Sequence, residues 1–382
     1  MVLIKNAAVL TCADKDFENG YVIIKDKKIA DTGSMDNFKY DESEFDKVID
    51  ATGKYVAPGF IDAHCHIGMW CEGIPDSEAD GNEGTDPVTP HLMAIDAVNP
   101  QDKAFAEARC AGVTTVVTGP GSANLFGGAF CALKTYGSSV DDMAIKEKVA
   151  MKMALGENPK QFYGKDSVKT RMMEAALVRE TFEKAKRYME KKKTSDAPEY
   201  DARLEALIPV LEGRLPVKLH CHRASDILTA IRLRKEYDLK MTIEHCSEGI
   251  FVKDSLAKAD IKGVVVGPVS TTRSKPELMG YDIRLASELM GCGIKTAIIT
   301  DYPEEPIYYL PVSAALMTRY GIDKREALRM ITIYPAELCG IADSVGSIEK
   351  GKDADILITP AHPLDISATP EWVIINGEII SI

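Results

Sequence analysis

The stretch Tyr55-Val56-Ala57-Pro58-Gly59-Phe60-Ile61-Asp62-Ala63-His64-Cys65-His66 runs from an apolar, strand-like segment straight into two histidines one residue apart. Successive side chains of a strand project to opposite faces, so His64 and His66 share a face and can hold one ion together. The arrangement recurs downstream: Val217-Lys-Leu leads into His220 and His222, and Leu239-Lys-Met-Thr-Ile-Glu into His245. A further apolar run, Lys295-Thr-Ala-Ile-Ile-Thr, ends on Asp301. Single histidines usually satisfy a core hydrogen bond or sit at a surface. Two His-x-His pairs with a third histidine and an aspartate, each closing a strand-like run, instead predict a metal site.

Outward from these clusters, strand-like runs near 57–64, 113–118, 129–135, 147–154, 216–221, 240–245, 262–267 and 294–300 alternate with helical patterns such as Ala224 to Tyr237. Eight runs of this kind predict an α/β protein, with a (β/α)8 TIM-like barrel over residues 56–345. Its chemistry belongs at the C-terminal strand ends, where every candidate ligand lies. Residues 1–55 and 346–382 carry short apolar runs broken by turn residues, and Asn376-Gly377 is a hairpin signal, because a type I′ turn needs positive φ at both central positions. The two ends are expected to combine into one small composite β-sandwich.

Forty-six Lys and Arg against 58 Asp and Glu leave a net charge of −12. No excess of cations is available to neutralise phosphates, which excludes nucleic acid as a partner and favours a small-molecule substrate. Nine cysteines are spread singly with no Cys-x-x-Cys pair, the pattern of reduced thiols in a cytoplasmic enzyme. No apolar run approaches the length of a membrane span and no secretory leader is recognised, so no membrane partner is expected. Barrels of this kind commonly associate, which makes a homo-oligomer an expectation. The segment from Glu72 to Asn99, with Glu72, Asp76, Glu78, Asp80, Glu83, Asp86 and His91, emerges at the catalytic rim, either as a lid or as a solvated acidic loop. Gly119-Pro-Gly-Ser-Ala-Asn124 has an asparagine where a dinucleotide loop needs its third glycine.

Pro58-Gly-Phe-Ile-Asp-Ala-His-Cys-His, together with Thr332-Ile-Tyr-Pro-Ala-Glu-Leu-Cys-Gly and Gly346-Ser-Ile-Glu-Lys-Gly-Lys-Asp-Ala-Asp, resembles the metal-dependent amidohydrolase superfamily, and within it the imidazolonepropionase-related amidohydrolases. The resemblance spans nearly the whole chain. It implies His64 and His66 on the first strand, His220 on the fifth, His245 on the sixth and Asp301 on the eighth as ligands of one or two divalent ions, zinc first, with iron or manganese as alternatives. Binuclear relatives add a bridging carboxylated lysine on the fourth strand, for which Lys152 stands in position; Glu157 is the alternative source of a carboxylate. Relatives that deaminate purines or triazines, and imidazolonepropionases, place a glutamate three residues after the fifth-strand histidine. This chain has Arg223 there. The His220-x-His222 form looks more like dipeptidase-type relatives, in which the second histidine faces the substrate.

A divalent ion with an open position lowers the pKa of water and polarises a carbonyl. The expected reaction is hydrolysis of an amide, cyclic amide or dipeptide-like C–N bond in a small anionic substrate. Asp301 is expected to take the water's proton and deliver it to the departing nitrogen, with His245 beside it. His222 donates to the oxyanion or to a substrate carboxylate, or else plays a supporting structural part. Arg223, and Arg273 with Lys275, are rim cations suited to an anionic group. Strand alternation also points Asp62 and Lys218 into the barrel beneath the metal, where they could pair, and turns Cys65, Cys221 and Cys246 outward. A metal-dependent deaminase is the alternative enzyme, and a non-catalytic scaffold of the same fold the alternative from outside enzymes.

Overall fold

The computed structural model describes all residues except 72, 76–78, 166 and 382. At the N-terminal end lie β1 (Val2–Val9), β2 (Phe17–Lys25), β3 (Lys28–Ser34), β4 (Lys47–Asp50) and β5 (Tyr55–Pro58). The barrel strands follow: β6 (Phe60–Cys65), β7 (Val113–Thr118), β8 (Phe126–Lys134), β9 (Ala144–Ala154), β10 (Val217–Cys221), β11 (Met241–His245), β12 (Gly263–Val266) and β13 (Thr296–Ile298). The chain closes with β14 (Ile356–Thr359), β15 (Trp372–Ile375) and β16 (Glu378–Ile380).

The strands from both ends form one eight-stranded sheet in the order β16-β15-β14-β5-β1-β2-β3, with β4 also paired to β1. β5 is its seam, antiparallel to β14 on one side and parallel to β1 on the other. This terminal sheet therefore reaches past residue 55. Ile4, Val22, Ile49, Val56, Ile356 and Ile374 form its apolar cluster, each buried. The turn between β15 and β16 places Asn376 at φ 50° and Gly377 at φ 77°, as the Asn-Gly pair demands.

The second sheet takes β6 to β13 in chain order. β6 and β7 run parallel, as do β9 through β13, but β8 is antiparallel to both its neighbours. A parallel connection needs a crossover of roughly a dozen residues or more. Residues 119–125, which join β7 to β8, form no helix that could supply one. The barrel is thus of the expected type with its third strand reversed. Its two ends meet where Asp301 N–H donates to His64 C=O at 3.2 Å and His66 N–H donates to Tyr302 C=O at 2.8 Å. That junction brings the first and last candidate ligands together.

Candidate metal centre

His64 and His66 leave the end of β6, Lys152 sits near the end of β9, and His220 and His245 near the ends of β10 and β11. All five are buried, and the Asp301 side chain is only 14 % exposed. His66 Nε2 lies 3.2 Å from Asp301 Oδ1, His64 Nε2 3.7 Å from the same oxygen, and Lys152 Nζ 3.1 Å from His64 Nε2. The His245 ring centroid is 4.5 Å from that of His220 and 5.2 Å from that of His64. Ligand atoms of His64, His245 and Asp301 all fall within 4.8 Å of one another.

Partners on the far side of each ring set its tautomer. His66 Nδ1 lies 2.7 Å from Gly119 C=O, and His245 Nδ1 2.7 Å from Gly267 C=O. A carbonyl only accepts, so each Nδ1 donates and each Nε2 keeps its lone pair when the ring is neutral. His64 Nδ1 donates likewise to Glu244 Oε2 at 2.7 Å. A neutral His66 then meets the Asp301 carboxylate lone pair against lone pair, an arrangement that a cation between them resolves. His220 Nδ1 is buried without a hydrogen-bond partner among the described residues. Burial holds His64, His220 and His222 well below the ordinary histidine range, helped by neighbouring cations and rings, and lowers His245 as well. Uncharged imidazoles are what a divalent ion requires. The residues present fit such an ion.

Burial also pushes the Lys152 amine down to about 8. Burial alone would raise Asp301, but His245, His66 and Lys152 outweigh it and hold the carboxyl below its usual value. Two of the site's residues have unusual backbones: His245 at φ 65° and Asp301 at φ 54°. For His245 the consequence is direct. Met241 and Ile243 pack in the large outer cluster, so strict alternation would send His245 outward too. The left-handed turn returns its ring to the interior, beside Glu244.

Glu244 is the functional residue that sequence reasoning missed, and no residue type announces a left-handed histidine. Lys218 Nζ lies 2.9 Å from Glu244 Oε2, and Thr242 also donates to this carboxylate. Asp62 accepts from Thr300 N–H at 3.2 Å, from Thr300 O–H at 2.5 Å and from His64 N–H at 3.1 Å. Both expected inward charges are buried, but each has its own partner and they do not pair with one another. Burial pushes Asp62 up to about 7 in spite of the Thr300 bonds. Phe130, delivered by the reversed strand, fills the floor: its ring centroid is 5.0 Å from that of His64 and 5.4 Å from Lys152 Nζ. Cys65, Cys221 and Cys246 pack in the outer apolar cluster, as expected.

A cavity of about 890 Å³ opens over the cluster, lined among others by His66, Trp70, His220, His222, His245 and Asp301. His222 Nδ1 is 2.8 Å from Ser247 Oγ, and its Nε2 is 3.6 Å from the buried Glu277. Ala79 and Asn82 bring the loop after β6 over this space. Asn124, where a third glycine was sought, staples that loop by donating to Glu83 C=O and Asp86 C=O at 2.9 and 2.8 Å. Asp86 also pairs with Arg203 at 2.6 Å. Glu72, Asp76 and Glu78 lie outside the described residues.

Three expectations need correction. Arg223 is the exposed N-cap residue of the helix Ala224–Tyr237 and does not line the cavity. Arg273 is exposed as well, with Nη2 donating to Tyr281 C=O at 2.8 Å. Glu157, the alternative source of a carboxylate, begins the helix Glu157–Tyr163 and accepts from Gln161 at 2.8 Å, whereas Lys152 Nζ lies 3.1 Å from His64 Nε2.

A family model described as the amidohydrolase family matches residues 278–380. The crystal structure of an amidohydrolase from Thermotoga maritima MSB8 is 39 % identical, covers 100 % of both chains and superposes with a TM-score of 0.94. The amidohydrolase tasK of Hapsidospora irregularis is 26 % identical over 86 % of this chain, which spans only 37 % of that protein. A 5'-deoxyadenosine deaminase of Methanobrevibacter smithii is 23 % identical over 98 % of this chain and 88 % of its own.

Proposed function

This chain belongs to the amidohydrolase family, whose members are hydrolytic enzymes, and from that premise we propose that it cleaves a C–N bond in a small anionic molecule. The bond is that of an amide, a cyclic amide or a dipeptide-like substrate. The convergence of His64, His66, His245 and Asp301 at the floor of one cavity carries the reading. A divalent ion held there supplies a Lewis acid that polarises a carbonyl and makes water acidic near neutrality. His64, His66, His220, His245 and Asp301 would hold it, with zinc the first candidate and iron or manganese the alternatives, since imidazole suits zinc and iron alike. In this reading Lys152, its Nζ 3.1 Å from His64 Nε2, would carry a carboxylate group and serve as a further ligand.

Asp301 is the proton carrier: it accepts from the attacking water and donates to the leaving nitrogen. His222, backed by Ser247, faces the same cavity and donates to the oxygen that gains charge. Trp70, Ala79 and Asn82 line the same cavity. The deaminase reading draws on the Methanobrevibacter relative's name; the exposed arginine at 223, where such enzymes place a proton-handling glutamate, weighs against it.

Metal analysis of the purified protein, with assays on N-acylamino acids and dipeptides, tests the proposal. Release of a free amino acid by metal-loaded protein is the expected result. Ammonia release without amino-acid release would establish a deaminase instead. Protein that binds no metal and turns over nothing would overturn hydrolysis altogether.

A further inference from the structure

We infer that Lys275 is the specificity-determining side chain of this cavity, its ammonium accepting the carboxylate of the substrate. The inference rests on the hydrolytic reading above and adds to it where the substrate's charge is read. Among the described residues that line the cavity, Lys275 is the sole lysine or arginine, against the acids Asp301 and Glu304. The two arginines that sequence reasoning favoured both lie outside it.

Lys275 is also held in place. Its Nζ donates to Asn158 Oδ1 at 3.0 Å and lies 2.8 Å from Glu277 Oε1, with the side chain 27 % exposed. Asn158 in turn donates from Nδ2 to Ser122 Oγ at 2.9 Å, and that same nitrogen is 3.5 Å from His220 Nε2. The ammonium is therefore fixed relative to a metal-site histidine through one intervening side chain. An ammonium has three donors; Asn158 takes one, and the approach to Glu277 Oε1 is an ion pair without hydrogen-bond geometry. Donor capacity is left for a ligand in the cavity.

The buried corner behind Lys275 explains why a cation belongs there. His220, His222 and Glu277 bring three ligand atoms within 4.8 Å of one another, a group with the donors for a second ion. The Lys275 ammonium sets a positive charge against the Glu277 carboxylate of that corner. A long side chain immobilised before binding loses less entropy when its partner arrives, which favours a compact anionic group placed at one point.

Calorimetric titration of metal-loaded protein with N-acetylglycine and with N-acetylglycinamide tests the assignment, because the two probes differ only in the charged end. Wild type should bind the acid about tenfold or more tightly than the amide, as a charge-assisted hydrogen bond would give. Lys275→Met should abolish that preference while leaving affinity for the amide in place, and Lys275→Arg should keep part of it. Metal content and circular dichroism of each variant show whether the site survived, and Lys275→Gln serves if the methionine variant does not fold. Indifference of wild type to the carboxylate, or a preference that persists without the ammonium, overturns the inference. So does equal weakening of both probes with loss of metal, which would make Lys275 a brace for the site. Failure of the hydrolytic reading shows separately, as absence of turnover on amides while the binding difference remains measurable.

Discussion

The terminal sheet and the mouth of the barrel are both built from strand ends, yet they bury opposite kinds of side chain. Around β5 the interior is Ile4, Val56, Ile356 and their neighbours, groups that gain by leaving water and make no demand on geometry beyond fit. Around β6 and β11 the interior holds His64, Lys152, Lys218, Glu244 and Asp62, each of which is costly to bury unless it finds a partner. One region therefore supports stability, and the other holds chemistry at stability's expense. The difference teaches that loss of activity and loss of stability should separate by region.

The sharpest attempt to break that separation is Asp301→Asn. Turnover should fall about a thousandfold because the proton carrier is gone, while the fold and bound metal persist. Turnover rates with metal content measured on the same sample decide it; parallel loss of both would make Asp301 chiefly a ligand. In the terminal sheet, Ile356→Ala should cost about 3 kcal/mol of unfolding free energy in denaturant titration, with kcat per folded molecule unchanged. A fall in kcat there would couple the two regions.

Glu244→Gln removes the charge that orients His64 and pairs with Lys218, and should weaken metal affinity about tenfold to a hundredfold, read by chelator competition. The smallest effect concerns pH. Glu174, on the helix Arg171–Lys191, is pushed up to about 7 by burial, with Oε2 accepting from Gly156 N–H at 3.0 Å. Its folded value lies above the ordinary 4.5, so the native state holds this proton more tightly than the unfolded chain. That stabilisation is complete below about 4.5 and fades as pH rises through about 7. Glu174→Gln should flatten this part of the stability curve, measured by denaturant titration at several pH values.

Much of the barrel was legible because strand alternation and the His-x-His spacing obey one period. His64, His66, His220 and Asp301 are candidates singled out by strand-like runs and spacing, and the Asn376-Gly377 turn is read from its dihedral requirement. What stayed hidden depends on backbone excursions or on loops. The positive φ of His245 brings Glu244 and His245 to the same side, against alternation. The reversal of β8 follows from the short connector 119–125, which reads as a glycine-rich loop before its neighbours are known. Lys275 could be seen as a rim cation, but which of three cations turns inward is decided by Asn158 and Glu277, residues with no sequence pattern linking them.

The seam at β5 has a consequence for how the protein comes off the ribosome. Its outer partner, β14, is made only after the entire barrel has been translated. Until then β5 presents an open row of amides and carbonyls, and the nascent N-terminal sheet is an unfinished edge awaiting its last strands. Truncation before residue 356 would leave that edge permanently exposed, which makes aggregation, more than inactivity, the first symptom of a shortened chain.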